Sequence, residues 1–295
     1  MVTAFSLAFV LAQVAAPATP ETTIGDRLYV WSHPAGSYSQ DAYLKGQKAS
    51  KIEPVDGVKY LGLKNTYFVR YRNVPALPFD DYYAPFKSLD RVVWSLTGAD
   101  GLTSAEERKE VFKLAANNKN ITGFILDDFF KDISKEKNLD DETNPLPASL
   151  TPKDLAGLRT FLTVNGRALP LNVVVYTNQI VPRAKPHLKH VDNITMWTWN
   201  PAELDKLEQN LKKLEALAPD KGILLGCYLY DFNSNAPLPV ARMKQQTELG
   251  YRWLQEGRIK GMLFLGTPMV DLGLEAVEWT REWVAKVKDE PCKGR

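Results

Sequence analysis

The 295-residue sequence has little of several residue types that would identify a common class of site. Two cysteines and three dispersed histidines are too few to predict a disulfide framework or a metal centre, and we expect no cofactor. The 37 basic and 35 acidic residues nearly balance, so the charge favours no nucleic-acid partner. No G-x-S-x-G, Walker or G-x-G-x-x-G motif is present, which excludes the serine-hydrolase elbow and the common nucleotide-binding loops.

Long hydrophobic runs are also scarce, and the longest one lies at the start of the chain. Thr3–Ala16 is uncharged and apolar, and small residues follow at Ala16 and Ala18, which is typical of a secretory signal peptide. The run is too short to span a bilayer comfortably. We therefore predict a signal peptide at residues 1–18, export to the periplasm or the extracellular space, and no stable membrane insertion after the signal is removed.

Eight short apolar runs organise the rest of the chain, and most of them alternate with helix-like segments. Several helices have clear starts, such as Ser104 with Glu107 and the pair Thr151-Pro152. Eight strand–helix units in about 250 residues predict an α/β protein, a single (β/α)8 TIM-type barrel over residues 19–295. The runs are Leu28–Trp31, Thr66–Tyr71, Val92–Leu96, Gly123–Asp127, Asn172–Tyr176, Ile194–Trp199, Gly222–Tyr230 and Gly261–Gly266.

Acidic residues end two of these runs. A carboxylate at the end of a buried strand is costly unless it is paired or solvated, so Asp127 and Asp128 are candidate functional residues. Because side chains alternate along a strand, we expect Asp127 to point toward the barrel axis and Asp128 toward the loop or the next helix. Asp231 follows the seventh run at the same rim. Alternatively, one acid of the pair caps a helix or binds an arginine, and Asp231 caps the turn Phe232–Asn235.

Aromatic and amide side chains also lie at the ends of the runs. Flat aromatic walls beside hydrogen-bonding groups are typical of carbohydrate sites. Trp197 and Trp199 are two positions apart and share one side of a strand, or alternatively pack beneath the helices. Arg70 is a candidate to orient an acidic sugar, or equally to neutralise Asp127 or Asp128. The candidate substrate-binding residues are Trp197, Trp199, Tyr176, Asn178, Tyr230, Arg70, Trp31 and His33.

The signal peptide, the eight units and Phe124-Ile125-Leu126-Asp127 at the end of strand four together resemble secreted glycoside-hydrolase-like (β/α)8 barrel proteins. Many such families place a catalytic Asp or Glu at this strand end. The D-x-x-D-x-D-x-E run of chitinase-like barrels is absent, as is a glutamate on strands five to seven. The resemblance implies hydrolysis of a poly- or oligosaccharide. We predict Asp127 as nucleophile or general base and Asp231 as general acid, with exchangeable roles, and Asp128 in support.

Two other functions fit the same residues. The first is a glycan-binding barrel without catalysis, in which Trp197 and Trp199 hold the saccharide. The second is a lyase or epimerase of acidic sugars that uses Arg70 and Tyr230. The sequence carries no pattern that sets an oligomeric state.

Overall fold

A computed structural model describes residues 22–39, 43–44 and 46–294, and the predicted signal peptide lies outside them. The main strands are β1 (Leu28–Ser32), β2 (Asn65–Phe68), β3 (Arg91–Thr97), β4 (Ile121–Leu126), β5 (Leu171–Tyr176), β6 (Asn193–Trp197), β7 (Gly222–Tyr228) and β8 (Gly261–Leu265). They pair in parallel and close into a ring in the order β1-β8-β7-β6-β5-β4-β3-β2. The predicted eight-stranded barrel is confirmed.

One helix follows each strand. The helices are α1 (Pro54–Tyr60), α2 (Asp80–Tyr83), α3 (Ala105–Asn117), α4 (Pro152–Leu158), α5 (Lys185–Leu188), α6 (Leu207–Leu217), α7 (Val240–Gln255) and α8 (Glu275–Val287). Both predicted caps are confirmed, because the Ser104 hydroxyl accepts the N–H of Glu107 at 3.1 Å and Thr151 forms a capping box with Asp154. Within the described ranges, no helix is long and apolar enough to cross a bilayer.

Two short antiparallel pairs lie outside the barrel. Thr163–Val164 pairs with Arg167–Ala168 between α4 and β5, and Tyr230–Asp231 pairs with Ala236–Pro237 after β7. The barrel strand β7 therefore ends at Tyr228, two residues before the end of the predicted run. This shorter strand changes which side chains reach the rim.

Residues 131–150 join β4 to α4 without a helix or strand of their own. The loop is nevertheless tied down by Arg183, whose side chain is almost fully buried. Its guanidinium donates to the carbonyl of Asn144 at 2.6 Å and binds the carboxylate of Glu136 at 2.8 Å. Because these bonds are charge-assisted and shielded, they hold the loop over the carboxyl ends of β4 and β5.

The upper interior of the barrel is filled by aromatic rings. The ring of Trp197 packs edge-on against Trp31, at 5.2 Å between centroids, and is tilted against the ring of Tyr228 at 5.1 Å. Its indole N–H donates to the hydroxyl of Thr195 at 3.0 Å. A β-carbon at Gly226 would lie 2.1 Å from the Trp197 ring, so glycine at this position is what leaves space for the indole. Trp197 is consequently a residue of the packed interior.

Candidate active site

Two adjoining cavities open at the carboxyl ends of the barrel strands, the face at which barrel enzymes place their active sites. The smaller one, called the central pocket, has a volume of about 200 Å³, and the larger one, called the groove, about 740 Å³. Tyr176 and Trp199 line both. The central pocket is also lined by Trp31, His33, Tyr38, Tyr43, Tyr71, Ala99, Asp100, Asp127, Asp128, Tyr228, Phe232 and Leu265.

Asp127 lies directly after β4 and faces the central pocket, as the strand pattern predicts. Its backbone is fixed by β3, since its N–H donates to the carbonyl of Thr97 at 3.1 Å and the Thr97 hydroxyl donates to its carbonyl at 2.8 Å. The residue is only 6% exposed. Burial, and after it the charge of Asp128, raises the pKa of the Asp127 carboxyl well above its ordinary value. A carboxyl in this environment retains its proton to a higher pH than a solvated one.

Asp128 occupies a left-handed backbone turn, with φ at 41°. This turn directs its carboxylate to two donors at the pocket wall. The Tyr176 hydroxyl donates to Oδ1 at 2.7 Å, and the backbone N–H of Asp100 donates to Oδ2 at 2.9 Å. The side chain of Asp128 is thereby oriented by β5 and by the loop after β3.

Trp31 and His33 extend β1 into the pocket wall. The indole N–H of Trp31 donates to Nε2 of His33 at 3.2 Å, and Nδ1 of His33 lies 3.0 Å from the carbonyl of Val69. These partners assign the proton to Nδ1. Burial lowers the pKa of His33 to about 4, so the ring is neutral near pH 7. Both nitrogens are already bonded, and His33 therefore forms part of the wall.

Tyrosine side chains supply most of the remaining wall. Burial raises the pKa of Tyr38, Tyr176 and Tyr228 well above the usual tyrosine value, and the aspartates raise it further. All three side chains stay neutral near pH 7 as hydroxyl donors and flat apolar faces.

The groove runs beside the central pocket and holds several amide side chains. Asn178 follows β5 and lines the groove, not the central pocket. Trp199 is 40% exposed and separates the two cavities, whereas Trp197 is 1% exposed within the barrel. The expectation that both indoles share the sugar site is corrected, because β6 ends at Trp197 and the chain turns before Trp199. Asp132 and Ile133 bring the long loop after β4 into the groove.

Asp231 and Tyr230 do not line the central pocket. The Asp231 carboxylate accepts the N–H groups of Asn233 and Ser234 at 3.0 and 3.1 Å, together with the hydroxyl of Ser234. Asp231 therefore caps the turn Phe232–Asn235, which is the alternative that the sequence also allowed. Tyr230 is 1% exposed and packs on Phe232. The expected pairing of Asp127 with Asp231 across the barrel mouth is therefore corrected, because the chain leaves the barrel after Tyr228.

Arg70 is likewise drawn away from the site. Its guanidinium binds the buried carboxylate of Glu107 at 2.8 Å and donates to the carbonyls of Pro75 and Asn73, each at 2.9 Å. Neither Asp127 nor Asp128 is its partner, so both expected roles of Arg70 are corrected. Side chains alternate at the end of β2, and it is the next residue, Tyr71, that lines the central pocket.

Eight residues of the central pocket are absent from the sequence-based candidates, and six of them carry an aromatic or acidic side chain. Tyr71, Asp100 and Tyr228 stand at or just after strand ends, and the strand-end rule that selected Asp127 applies to them too. Tyr38 and Tyr43 lie in an irregular segment after β1, and Phe232 lies in the turn that Asp231 caps, where no periodic signal exists. Across the described ranges, no three His, Cys, Asp or Glu side chains are grouped as metal ligands would be.

No protein-family model matches the sequence, and no curated protein is similar to it. Solved structures do share its fold. The catalytic domain of a hyperthermophilic chitinase from Pyrococcus furiosus is 13% identical with a TM-score of 0.56, over 92% of this chain and 99% of that one. An amidohydrolase from Burkholderia multivorans with bound zinc is 16% identical with a TM-score of 0.53, over 88% and 92%. At these identities the likeness shows the (β/α)8 fold, which both kinds of hydrolase use.

Replacing Arg70 with Met is expected to lower the free energy of unfolding by about 3–5 kcal/mol, because the buried Glu107 carboxylate loses its partner. Urea unfolding measures this change. The double variant Arg70→Met/Glu107→Leu is expected to recover most of the loss, since apolar side chains then replace both charges. If the Arg70→Met protein is as stable as the wild type but binds ligand more weakly, Arg70 is instead a ligand-binding residue.

Replacing Asp127 with Asn is expected to stabilise the protein at neutral and higher pH. Folding raises the pKa of the Asp127 carboxyl, so its contribution to the free energy of unfolding is fully present below the pKa of the unfolded state. That contribution is lost as the pH rises through the pKa of the folded state. Asparagine carries no charge and avoids that loss, so the Tm of the variant should exceed that of the wild type by an amount that grows from pH 4 to pH 8. Asp141→Asn is the control of opposite sign, because hydrogen bonds from Thr143 lower the pKa of Asp141. A pH-independent difference for Asp127→Asn would contradict the assignment.

Proposed function

We propose that this protein is a glycoside hydrolase that acts on a poly- or oligosaccharide, with Asp127 as its general acid. One observation carries the proposal: the buried, proton-retaining carboxyl of Asp127 lies beside a second, oriented carboxylate in an aromatic-walled pocket at the active face of the barrel. The shared fold is compatible with this chemistry but does not select it.

The proposed first step is protonation of the glycosidic oxygen by Asp127. General acids in glycosidases need a raised pKa so that they hold a proton at the working pH. The proton moves to the leaving oxygen as the bond from the anomeric carbon to that oxygen breaks. Water then adds to the anomeric carbon, and its proton returns to the Asp127 carboxylate. Atoms and charges balance without any further reactant.

Asp128 is proposed to stabilise the positive charge that develops at the anomeric carbon. Its two donors, the Tyr176 hydroxyl and the Asp100 N–H, fix the direction of the carboxylate before substrate binds. Preorganised charge of this kind lowers the barrier because no reorientation is needed in the transition state. In this proposal Asp128, as the next residue along the chain from Asp127, replaces Asp231 as the second carboxylate.

The proposed substrate extends from the central pocket into the groove. The central pocket has room for one sugar ring, and the larger groove provides amide groups for further units. Trp199 would contact the ring that lies between them. We further propose that the enzyme acts after export, on the basis of the predicted signal peptide at residues 1–18.

Binding without cleavage is the competing function, and it keeps the same pocket. The lyase or epimerase of acidic sugars is not retained, because Arg70 is bound to Glu107 and Tyr230 lies outside the pocket.

Asp127→Asn is expected to reduce turnover by roughly 100- to 10,000-fold, because the amide cannot donate the proton that the leaving oxygen needs. Release of reducing ends from a panel of defined oligosaccharides measures turnover. Asp128→Asn should also lower kcat. Asp231→Asn is the matched control, and we expect it to retain wild-type activity. Full activity of Asp127→Asn would contradict the role of Asp127 as general acid. If the wild type binds saccharides but forms no product, the glycan-binding barrel is favoured.

Asn178→Ala is expected to weaken binding by about three- to tenfold for oligosaccharides long enough to reach the groove, which is the loss of one hydrogen bond. The same variant should bind a monosaccharide normally. Trp199→Ala should weaken both, because the indole lines both cavities. Dissociation constants for a ladder of chain lengths test this, and equal losses at every length for Asn178→Ala would contradict the extended site.

A further inference from the structure

The described residues of the central pocket carry negative charge without a balancing lysine or arginine in its wall. Asp100 and Asp128 line it as carboxylates, Asp127 lines it as a carboxyl group that retains its proton, and no described lining residue is a lysine or an arginine. His33 adds no charge near pH 7, because burial lowers its pKa to about 4. A site of this composition attracts a positively charged group and repels a carboxylate or a sulfate.

The nearby cations are directed elsewhere. Lys131 donates to the backbone carbonyl of Asp100 at 3.3 Å, and its side chain is exposed. The guanidinium of Arg72 lies over the ring of Tyr71, 5.9 Å from its centroid, and is not part of the pocket lining. Neither residue lines the cavity, so the described part of the chain supplies no positive charge to it and a cationic ligand would do so.

Asp127 supplies an independent indication of a ligand. It is more than nine-tenths buried and lines the cavity. Within the described ranges, no side chain donates a hydrogen bond to its carboxylate. Buried polar groups of folded proteins are normally satisfied, so a carboxyl group left open toward a cavity indicates a polar group of a ligand that binds there.

The walls of the central pocket suit a cation as well as a sugar face. Eight of the lining residues are aromatic, including Trp31, Trp199 and Tyr228. Aromatic faces attract ammonium groups through the negative potential of their rings, and the attraction grows when water is excluded. The three aspartates are not grouped as metal ligands are, so the arrangement favours an organic cation.

We propose that the central pocket binds a sugar that carries a protonated amino group, and that the substrate is accordingly a glycan rich in de-N-acetylated hexosamine. The ammonium group pairs with the carboxylate of Asp128 or Asp100 and lies against the aromatic wall. Acidic sugars are disfavoured by the like charges of Asp100 and Asp128, and neutral sugars gain nothing from them. Cleavage of this glycan rests on the proposed function, whereas binding of the amino sugar can be tested on its own.

Two matched series of monosaccharides test the binding claim, since they contain no bond to cleave. Glucosamine, N-acetylglucosamine and glucose differ only at carbon 2, and the same holds for galactosamine, N-acetylgalactosamine and galactose. Tryptophan fluorescence at pH 6 reports binding through Trp31 and Trp199. We expect the free amine to bind about tenfold more tightly than both other members in at least one series. The advantage should shrink from 50 to 500 mM NaCl.

Charge-removing variants locate the preference. Asp128→Asn and Asp100→Asn should reduce the amine preference, and a double variant should nearly abolish it. Asp231→Asn makes the same chemical change outside the pocket and should leave the preference intact. Circular dichroism of each variant confirms that it is folded, so a lost preference reports the pocket itself.

The outcomes separate this inference from the proposed function. Equal or tighter binding of the acetylated or hydroxyl sugar overturns the cationic pocket, while cleavage of any oligosaccharide by Asp127 would still stand. An amine preference without cleavage of glucosamine or galactosamine oligomers supports the pocket and rejects the hydrolase. Failure of all six sugars to bind overturns the inference.

Discussion

The closure of eight parallel strands into one ring is the constraint on which the other features of this structure depend. In such a ring all carboxyl ends lie at one rim, so segments far apart in the sequence contribute side chains to one small volume. Trp31, Asp127 and Tyr228 meet in this way from β1, β4 and β7. The packed interior beneath them, where Trp197 fills the space left at Gly226, closes the floor. The burial of Asp127 is thus a property of the architecture.

The architecture could be predicted from the sequence because its signal is distributed over the whole chain. Each apolar run was short and ambiguous alone, yet eight of them alternating with capped helices fit few folds. Local chemistry at Ser104 and Thr151 also predicted helix starts, since a cap depends on residues three positions apart. Asp127 was found by the same logic, because an acid at the end of a buried strand has few structural explanations.

The wall of the site was harder to predict, because it depends on where each strand stops. The strands β2 and β7 end three and two residues before the ends of their predicted runs. Such a difference changes which side chain faces the rim, and it decides between Arg70 and Tyr71 and between Tyr228 and Tyr230. Asp231 was misassigned for a related reason, since a turn that the aspartate itself caps removed it from the barrel. The residues of the irregular segment after β1 show no hydrophobic periodicity, so the sequence does not predict that they reach the pocket.

The two rings shared by the central pocket and the groove have a thermodynamic consequence. Tyr176 lines both cavities and also holds the Asp128 carboxylate through its hydroxyl group. A ligand that shifts this ring from the groove side also changes the hydrogen bond that orients Asp128 on the other side. Any such effect is reciprocal, because two ligands that share one movable wall alter each other's affinity by the same factor. The shared wall at Tyr176 thus gives the two cavities a physical route by which ligands bound at either end can influence each other.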